Sequence, residues 1–415
     1  MAKAAGEHDG TLADALVTFR NWLHLPDPAP LFAAVAAVVA NRAPGDPVWL
    51  LLVGPPGSGK TEILVALTAQ PDVHVAATLT EPSLLSGSPE RERAKGAKGG
   101  LLREIGEYGI VVCKDFGSVL SMHRDARASV LSALREVYDG AWTRHVGTDG
   151  GRRLHWHGKV GLLAGCTPTI DNHAAVMAAM GERAALLRMP DTDEDAQADR
   201  GLSHAEHEGG MRSDLAAAVH AVLANVGDER VSVDLEGAER TRMIHLSTLA
   251  VRCRSAVERD GYTREVELIP EPEAPARLAL TLARLLAALS TIGVERNEAW
   301  RIVAKVALDS MPKLRRRGLE YAVSQQGAFA TTDVAEELDH PTNTTRRALE
   351  DLTAHGLLTR SKQGKGKADL WRATDWARER WQATVPEKSF ITQSERLEGE
   401  STHVTSRVHP LKRAP

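Results

Sequence analysis

The chain has 415 residues, of which 43% are hydrophobic and 26% are charged. It is too long for one ordinary domain and apolar enough to bury real cores, which excludes a wholly disordered protein. Its net charge of −4 excludes a global cationic field, so any contact with nucleic acid must come from local basic patches.

Three cysteines, Cys113, Cys166 and Cys253, are widely spaced along the chain. Their odd number and spacing indicate neither a disulfide framework nor a Cys-x-x-Cys metal site, and a reducing compartment fits them. Residues 1–10 lack the apolar segment of a secretory signal, and the longest apolar run, residues 31–40, is far short of the ~20 residues that span a bilayer. We therefore expect a soluble cytoplasmic protein with no membrane partner.

Residues 11–195 alternate short apolar runs with segments of helical periodicity. Helices are predicted at 11–23, 31–41, 61–69 and 128–138, and strands at 48–53, 73–79, 109–113 and 160–164. Compact apolar strands that alternate with helices predict an α/β fold, with a parallel sheet covered on both faces. Farther along, helical patterns at 211–226, 240–258 and 274–289 predict a helical subdomain.

One segment directly after the first predicted strand fits the pattern GxxxxGK[ST] in full: Gly54-Pro55-Pro56-Gly57-Ser58-Gly59-Lys60-Thr61. Its glycines let the backbone curl so that successive N–H groups point at phosphate oxygens, and a helix begins at its end. Lys60 suits the β- and γ-phosphates, and the Thr61 hydroxyl suits Mg²⁺. The sequence therefore predicts a P-loop (Walker A motif) that binds ATP and Mg²⁺.

A nucleotide hydrolase also needs acids at the tip of another strand. Residues 109–113 form an apolar run that is followed by Lys114, Asp115 and Phe116. Asp115 is the single acid at this tip and is the candidate for binding the metal and orienting the attacking water. The other interpretation is a solvated aspartate in a loop.

The order of motifs over residues 48–289 resembles that of the AAA+ ATPases, and within them the minichromosome-maintenance (MCM) helicase clade. Residues 109–116 line up with that clade's glycine, four apolar residues and Asp-Glu-Phe, and Gly99-Gly100-Leu101-Leu102 resembles the segment that leads into the same strand. Residues 142–156 read as two strands around a turn at 147–151, where the clade carries its pre-sensor hairpin. The resemblance implies a P-loop NTPase core whose hairpin grips DNA in the pore of a ring.

The same resemblance assigns three further positions. Thr167 is the nearest candidate for the polar sensor residue at the end of the strand at 160–164. Arg183 stands where the clade has its arginine finger, which a neighbouring subunit supplies, so a homo-oligomer, expected to be a hexamer, is implied. Arg188 and Arg152 compete for that role. Arg277 matches the sensor-2 arginine. The equal alternative is that Arg277 is simply an exposed residue of an amphipathic helix.

The departure from the family pattern lies beside the acid. By register, Lys114 occupies the position of the metal-binding Asp, and Asp115 that of the catalytic Glu. In the alternative register Asp115 binds the metal and Phe116 leaves the base missing. In either register the sequence supports ATP hydrolysis less strongly than ATP binding, and it fits a slow or conditional ATPase.

Basic residues in the predicted hairpin are candidates for DNA phosphate contacts: Arg144, Arg152 and Arg153, with His145 and Lys159 nearby. A charged hairpin that merely avoids edge pairing is the alternative.

Residues 300–382 have the element order of a winged-helix domain. Helices are predicted at 314–325, 332–338 and 342–355, and two strands at 357–360 and 369–372 flank a Lys/Gly-rich tip. The leucines at 349, 352, 357 and 358 are expected to form its core. Candidate DNA contacts are Thr344, Thr345, Arg346, Arg347, Lys362, Lys365 and Lys367. Winged helices also bind proteins, so that alternative stays open.

The predicted organisation is N-terminal helices (1–45), an AAA+ core (46–195), a helical lid (196–299), a winged-helix domain (300–382) and a disordered tail (383–415). The leading functional hypothesis is a DNA helicase-like or translocase-like motor driven by ATP hydrolysis. The alternatives are a DNA-bound regulatory or initiator switch with little turnover, and a chaperone-like ATPase that remodels proteins.

Overall fold

A computed structural model describes residues 10–87, 99–147, 151–179, 181–226, 231–364 and 368–384. Within these ranges the strands are β1 (Trp49–Val53), β2 (Val73–Ala76), β3 (Tyr108–Cys113), β4 (Ala141–Val146), β5 (Arg152–His157), β6 (Lys159–Cys166), β7 (Ala184–Arg188), β8 (Glu258–Arg259), β9 (Val266–Leu268), β10 (Phe329–Ala330), β11 (Leu358–Ser361) and β12 (Leu370–Ala373). The α-helices are α1 (Leu12–Trp22), α2 (Ala29–Arg42), α3 (Lys60–Ala66), α4 (Glu81–Leu84), α5 (Leu101–Ile105), α6 (Gly117–Leu120), α7 (Arg124–Tyr138), α8 (Ala174–Ala179), α9 (Glu194–Ser203), α10 (Glu208–Val226), α11 (Gly237–Arg254), α12 (Ala276–Thr291), α13 (Arg296–Asp309), α14 (Lys313–Ser324), α15 (Thr331–Glu337), α16 (Thr342–Ala354) and α17 (Asp375–Thr384).

The predicted α/β class is confirmed by a five-stranded parallel sheet with strand order β2-β3-β6-β1-β7. The three central strands β1, β3 and β6 are nearly continuous runs of buried apolar residues because helices cover both faces. All strands run the same way, so the loops that follow their carboxyl ends meet at one edge of the sheet.

The edge strand β7 is not predicted from the sequence. It pairs with β1 in register, Ala184 with Trp49 and Arg188 with Val53. Its outer side is covered by residues at the end of α13: Leu186 N donates to Ser310 Oγ (2.9 Å) and Arg188 N donates to Asp309 Oδ2 (2.8 Å). These side chains satisfy backbone groups that an open edge would leave exposed.

The two faces of the sheet bury different sets of elements. On one face α2 and α3 pack beneath α10 and α12, and the same apolar core continues into α14, α16 and α17. On the other face the core contains α5, α7 and the inward side of the β4–β5 hairpin. Thus the helical region and the C-terminal unit share one core with the sheet.

Within the predicted hairpin segment, β4 and β5 pair antiparallel, with Trp142 opposite Trp156 and Arg144 opposite Leu154. Side chains alternate between its two faces. Trp142, Leu154 and Trp156 are buried on the inward face, whereas His145 and Arg153 are exposed on the other.

The C-terminal unit runs α14, β10, α15, α16, β11, β12, and its sheet is three-stranded and antiparallel with order β10-β12-β11. Leu349, Leu352, Leu357 and Leu358 are buried at its centre, as predicted. A further helix, α17, packs on α11, where the Arg252 guanidinium lies 4.1 Å from the centre of the Trp376 ring. The predicted tail from residue 385 onward lies outside the described residues. No helix in the described ranges is both long and apolar enough to cross a membrane.

Candidate nucleotide-binding site

The P-loop connects β1 to α3 at the carboxyl edge of the sheet. Gly54 N donates to Cys166 O (3.0 Å), which ties the start of the loop to β6. Gly57 and Gly59 have φ of +82° and +81°, a conformation in which other residues are strained. A side chain at Gly54 would collide with Met189, whose Cγ would be 2.7 Å from the added Cβ. The glycines are therefore required by backbone geometry and by close packing.

The Lys60 side chain points into its own loop and is only 8% exposed. Its ammonium donates to Gly54 O (2.7 Å), Pro55 O (2.6 Å) and Ser58 Oγ (3.1 Å). Burial lowers its pKa, and the nearby Asp115 carboxylate acts in the opposite direction. Lys60 thus supplies a partly desolvated positive charge within electrostatic range of Asp115.

Asp115 lies just past the end of β3 and is exposed. Its Oδ1 accepts a hydrogen bond from Gly117 N (2.9 Å), which fixes the carboxylate at the start of α6. Phe116 points into the core, and its N donates to Gly165 O (2.7 Å), so it takes no part in the site. Lys114 is exposed and makes no ion pair with any described residue.

Thr167 follows β6, the strand between β1 and β3. Its hydroxyl lies 2.6 Å from the Thr169 hydroxyl. A Cβ added to Gly117 would be 2.9 Å from Asp115 Oδ1 and 4.0 Å from Thr167 Oγ1, so the two side chains border the same point. Because neighbouring strands lie ~4.8 Å apart, Asp115 is about 10 Å from the P-loop strand, with Thr167 between them.

Two thiols lie beneath these strand tips. Burial raises the pKa of Cys113 and of Cys166 to about 11 in each case. Both thiols therefore stay neutral near pH 7, and neither adds a negative charge beside Lys60 and Asp115.

Arg183 and Arg277 are not brought to the P-loop of their own chain. Arg183 directly precedes the residue that pairs with Trp49, so it lies at the amino edge of the sheet, roughly 15 Å from the loop along β1. It is 7% exposed, its Nη2 is 2.7 Å from Asp139 Oδ2, and it stacks over Tyr138. Arg277 lies beside it and donates to Gly181 O (2.6 Å).

The loop edge also holds residues that sequence reasoning missed in this role. Arg188, predicted only as a competing finger, lies at the end of β7 opposite Val53 and forms a two-pronged ion pair with Asp171 (2.7 and 2.8 Å). Gln197 of α9 donates to Gly57 O (2.8 Å) and so contacts the P-loop directly. No local motif marks Gln197, because its contact depends on how α9 packs.

The hairpin arginines do not form one basic surface. Arg144 lies on the inward side, where it donates to Glu81 Oε1 (2.6 Å) and Leu85 O (2.7 Å). Arg152 is on the same side and is half-buried, with partners of its own. Lys159 donates to Ala43 O, and burial lowers its pKa to about 8. Arg153 alone of the three predicted hairpin arginines faces solvent, whereas Arg144 and Arg152 lie on the inward side; contact of these arginines with DNA phosphates stays a prediction.

The residues of the C-terminal unit that were predicted to contact DNA differ in their exposure. Arg346 and Lys362 are exposed and Arg347 is half-exposed. Thr345 is buried and donates to Pro341 O (3.2 Å), so its side chain is turned into its own unit. Lys365 and Lys367 lie outside the described residues.

Comparisons with known proteins add no assignment: no protein-family model matches the chain, and no curated protein is significantly similar to it. Within the described ranges no group of three or more His, Cys, Asp or Glu side chains is arranged to hold a metal ion. The geometry at the carboxyl edge of the sheet is therefore what indicates the function of the chain.

Proposed function

We propose that the protein is an ATP-binding P-loop ATPase of the AAA+ type that works as a ring-shaped homo-oligomer on DNA. The observation that carries this proposal is the order β1-β6-β3, which brings the loop of Lys60, the hydroxyl of Thr167 and the carboxylate of Asp115 to one edge of the sheet.

The loop residues fit a triphosphate. All three N–H bonds of the Lys60 ammonium are used by Gly54 O, Pro55 O and Ser58 Oγ, so phosphate binding exchanges at least one of these for a phosphate oxygen. The gain is large because the exchange replaces a neutral acceptor with an anionic one.

The residues also fit a magnesium ion held jointly with phosphate oxygens. Thr61 is exposed in the first turn of α3, and Asp115 Oδ2 makes no hydrogen bond with a described residue. Hydroxyl and carboxylate oxygens are ligands that Mg²⁺ prefers. Bound Mg²⁺ would neutralise charge on the transferring phosphoryl group. Asp115 would orient the attacking water, and Thr167 would hold it from the neighbouring strand tip.

The position of Arg183 and Arg277 supports a head-to-tail oligomer. They lie at the edge of the sheet opposite the P-loop, so one subunit offers its loop where the next offers its arginines. A heterologous interface of this kind generates a ring when its rotation closes. Arg183 must exchange its contact with Asp139 to reach a neighbour.

The C-terminal unit supports action on DNA. Its element order and its three-stranded sheet fit a winged-helix domain in which α16 is the third helix. Arg346, Arg347 and Lys362 provide cations on α16 and just after β11.

A second candidate, a DNA-bound switch with little turnover, is favoured by two observations. The exposed Lys114 adds a positive charge beside the single acid, which opposes metal binding. The Arg183 side chain is buried and pairs with Asp139, which keeps the finger candidate inside its own chain.

Nucleotide binding is tested by titrating a fluorescent ATP analogue into wild type, Lys60→Ala and Lys313→Ala. Lys313 is exposed at the start of α14 and serves as the matched lysine control. We expect at least a hundredfold loss of affinity for Lys60→Ala alone. Unchanged affinity in Lys60→Ala would overturn the proposal.

The two candidates are separated by the ATPase rate with and without single-stranded DNA, for wild type and Lys114→Glu. DNA-stimulated turnover in wild type supports the motor. Binding of ATP and DNA with turnover that rises only in Lys114→Glu supports the switch. No response to DNA in either protein would favour a protein-remodelling ATPase.

A further inference from the structure

A short antiparallel hairpin, β8–β9, lies along α16 and was not expected from the sequence. One side chain, Arg259, holds it there. Its guanidinium contacts Glu350 Oε2 (3.0 Å) and Asp351 Oδ1 (2.6 Å) and donates to Arg347 O (3.0 Å). Arg259 also donates to Arg264 O (3.0 Å) within the hairpin, so one side chain contacts both α16 and the hairpin turn.

A groove of about 540 Å³ separates the hairpin from α16 and β11. Its cationic lining residues are Arg264, Arg346, Arg347, Arg360 and Lys362, against the two carboxylates Glu265 and Glu350. Glu350 is already paired with Arg259 and Arg360, and Arg360 also contacts Asp369. Three of the cations, Arg264, Arg347 and Lys362, make no ion pair with a described residue. The groove is therefore positively charged and suits a chain of phosphates.

The hairpin adds stacking surface to this charge. Tyr262, in the turn between β8 and β9, is 95% exposed and directly precedes Thr263 and Arg264, which line the groove. Val266, Leu268 and Ile269, farther along the same segment, are also exposed. An aromatic ring beside a basic groove is the combination that binds unpaired bases together with their backbone.

The same hairpin obstructs a duplex. Arg346, Arg347, Glu350 and Thr353 form the stripe of α16 that faces the groove. A helix with its side chains is ~10–12 Å in diameter and fills the major groove, which is ~12 Å wide. A two-stranded ribbon alongside the helix takes up part of the width that this insertion needs, whereas a single strand requires less width.

We propose that the groove between the β8–β9 hairpin and α16 binds one single strand of nucleic acid, with phosphates on Arg264, Arg347 and Lys362 and a base on Tyr262, and that the hairpin keeps duplex DNA off α16. This inference deepens the DNA-binding part of the proposed function and does not depend on nucleotide turnover.

The test measures fluorescence anisotropy of the full chain with a labelled oligothymidylate, an oligouridylate of the same length and the matching DNA duplex. We expect single strands to bind more tightly than the duplex, and the two oligonucleotides separate a DNA-binding from an RNA-binding groove. Arg264→Glu and Lys362→Glu should each weaken single-strand binding about tenfold and lower its salt dependence by about one phosphate contact. Tyr262→Ala should weaken it about tenfold with the salt dependence unchanged. Arg240→Glu, a charge reversal at an exposed site on α11 outside the groove, is the matched control.

Arg259→Ala tests the obstruction, because it frees the hairpin while Glu350 keeps Arg360 and Asp351 keeps Arg315. We expect this variant to gain duplex binding, with circular dichroism confirming that it is folded. Wild-type affinity in both Arg264→Glu and Lys362→Glu, equal binding of duplex and single strand by wild type, or equally effective competition by an acidic peptide would each overturn the inference. Repeating the titration with Lys60→Ala distinguishes this failure from failure of the nucleotide site, since that variant should keep single-strand binding.

Discussion

The two edges of the parallel sheet carry ionic groups in opposite arrangements. At the carboxyl edge, Lys114 and Asp115 are exposed and form no ion pair with a described residue. At the amino edge, Arg183 and Arg254 are buried and contact Asp139 and Glu273. The exposed groups of the carboxyl edge are therefore free to meet a ligand, although Arg188 there is paired with Asp171, whereas the two buried arginines of the amino edge contact carboxylates of their own chain. An arginine that matches a motif in spacing can still be committed to its own chain.

The largest effect is expected from breaking the amino-edge network at its centre. Arg254 is 2% exposed, donates to Glu273 Oε2 (2.6 Å) and to Glu182 O (3.2 Å), and its removal leaves buried carboxylates without their main cation. We expect Arg254→Ala to lower the free energy of unfolding by about 3–5 kcal/mol. Urea denaturation measures this, with Arg240→Ala on the exposed face of the same helix as control, expected within about 0.5 kcal/mol of wild type. Equal stability of the two variants would show that the amino edge is not a structural network.

At the carboxyl edge the expected effect falls on chemistry and leaves stability unchanged. Asp115→Asn keeps the shape of the side chain and its acceptor for Gly117 N, but removes the charge. We expect ATP turnover to fall about a hundredfold. ATP affinity should stay within about twofold of wild type, and the free energy of unfolding within about 1 kcal/mol. Steady-state phosphate release measures turnover, and an unaffected rate would remove Asp115 from the site.

The sequence predicts much of the structure at the carboxyl edge of the sheet. The strand runs at 48–53, 109–113 and 160–164 are apolar throughout, and the loop motif is complete, so both the parallel sheet and the P-loop follow from local pattern. Side chains along a β-strand alternate between its two faces, so their spacing shows which of them share a face; a comparison of motifs does not use this. Arg144 is two residues from Trp142, so on a strand it shares the inward face of that tryptophan.

The rest depends on contacts between distant parts of the chain. Strand β7 is short, and its outer edge is completed by Ser310 and Asp309, more than a hundred residues away. The β8–β9 hairpin has exposed, mostly polar residues and is held by Arg259 against α16. Local propensity carries no signal for either, because tertiary partners supply the stabilisation.

A pH effect should also distinguish the two edges. Burial raises the pKa of Glu182 from 4.5 to about 7, against the attraction of Arg254. Because the folded chain then holds this proton more tightly than the unfolded chain, the free energy of unfolding should fall as pH rises from about 5 to 7. Glu182→Gln should remove about 1–2 kcal/mol of this dependence, measured by urea denaturation at several pH values. An identical pH profile in the variant would exclude Glu182 as its source.

The smallest effect tests whether the amino edge also serves a neighbouring subunit. Asp139 is half-exposed, so its ion pair with Arg183 stabilises the inward position of the arginine by only about 0.5–1 kcal/mol. Asp139→Asn should therefore raise the fraction of Arg183 available to a neighbour, and with it the ATPase rate of the oligomer, about threefold. The gain must vanish in an Arg183→Ala background, since the arginine would no longer be there to release. A gain that persists in that background would mean that Asp139 acts on turnover by another route and that Arg183 is a structural residue only.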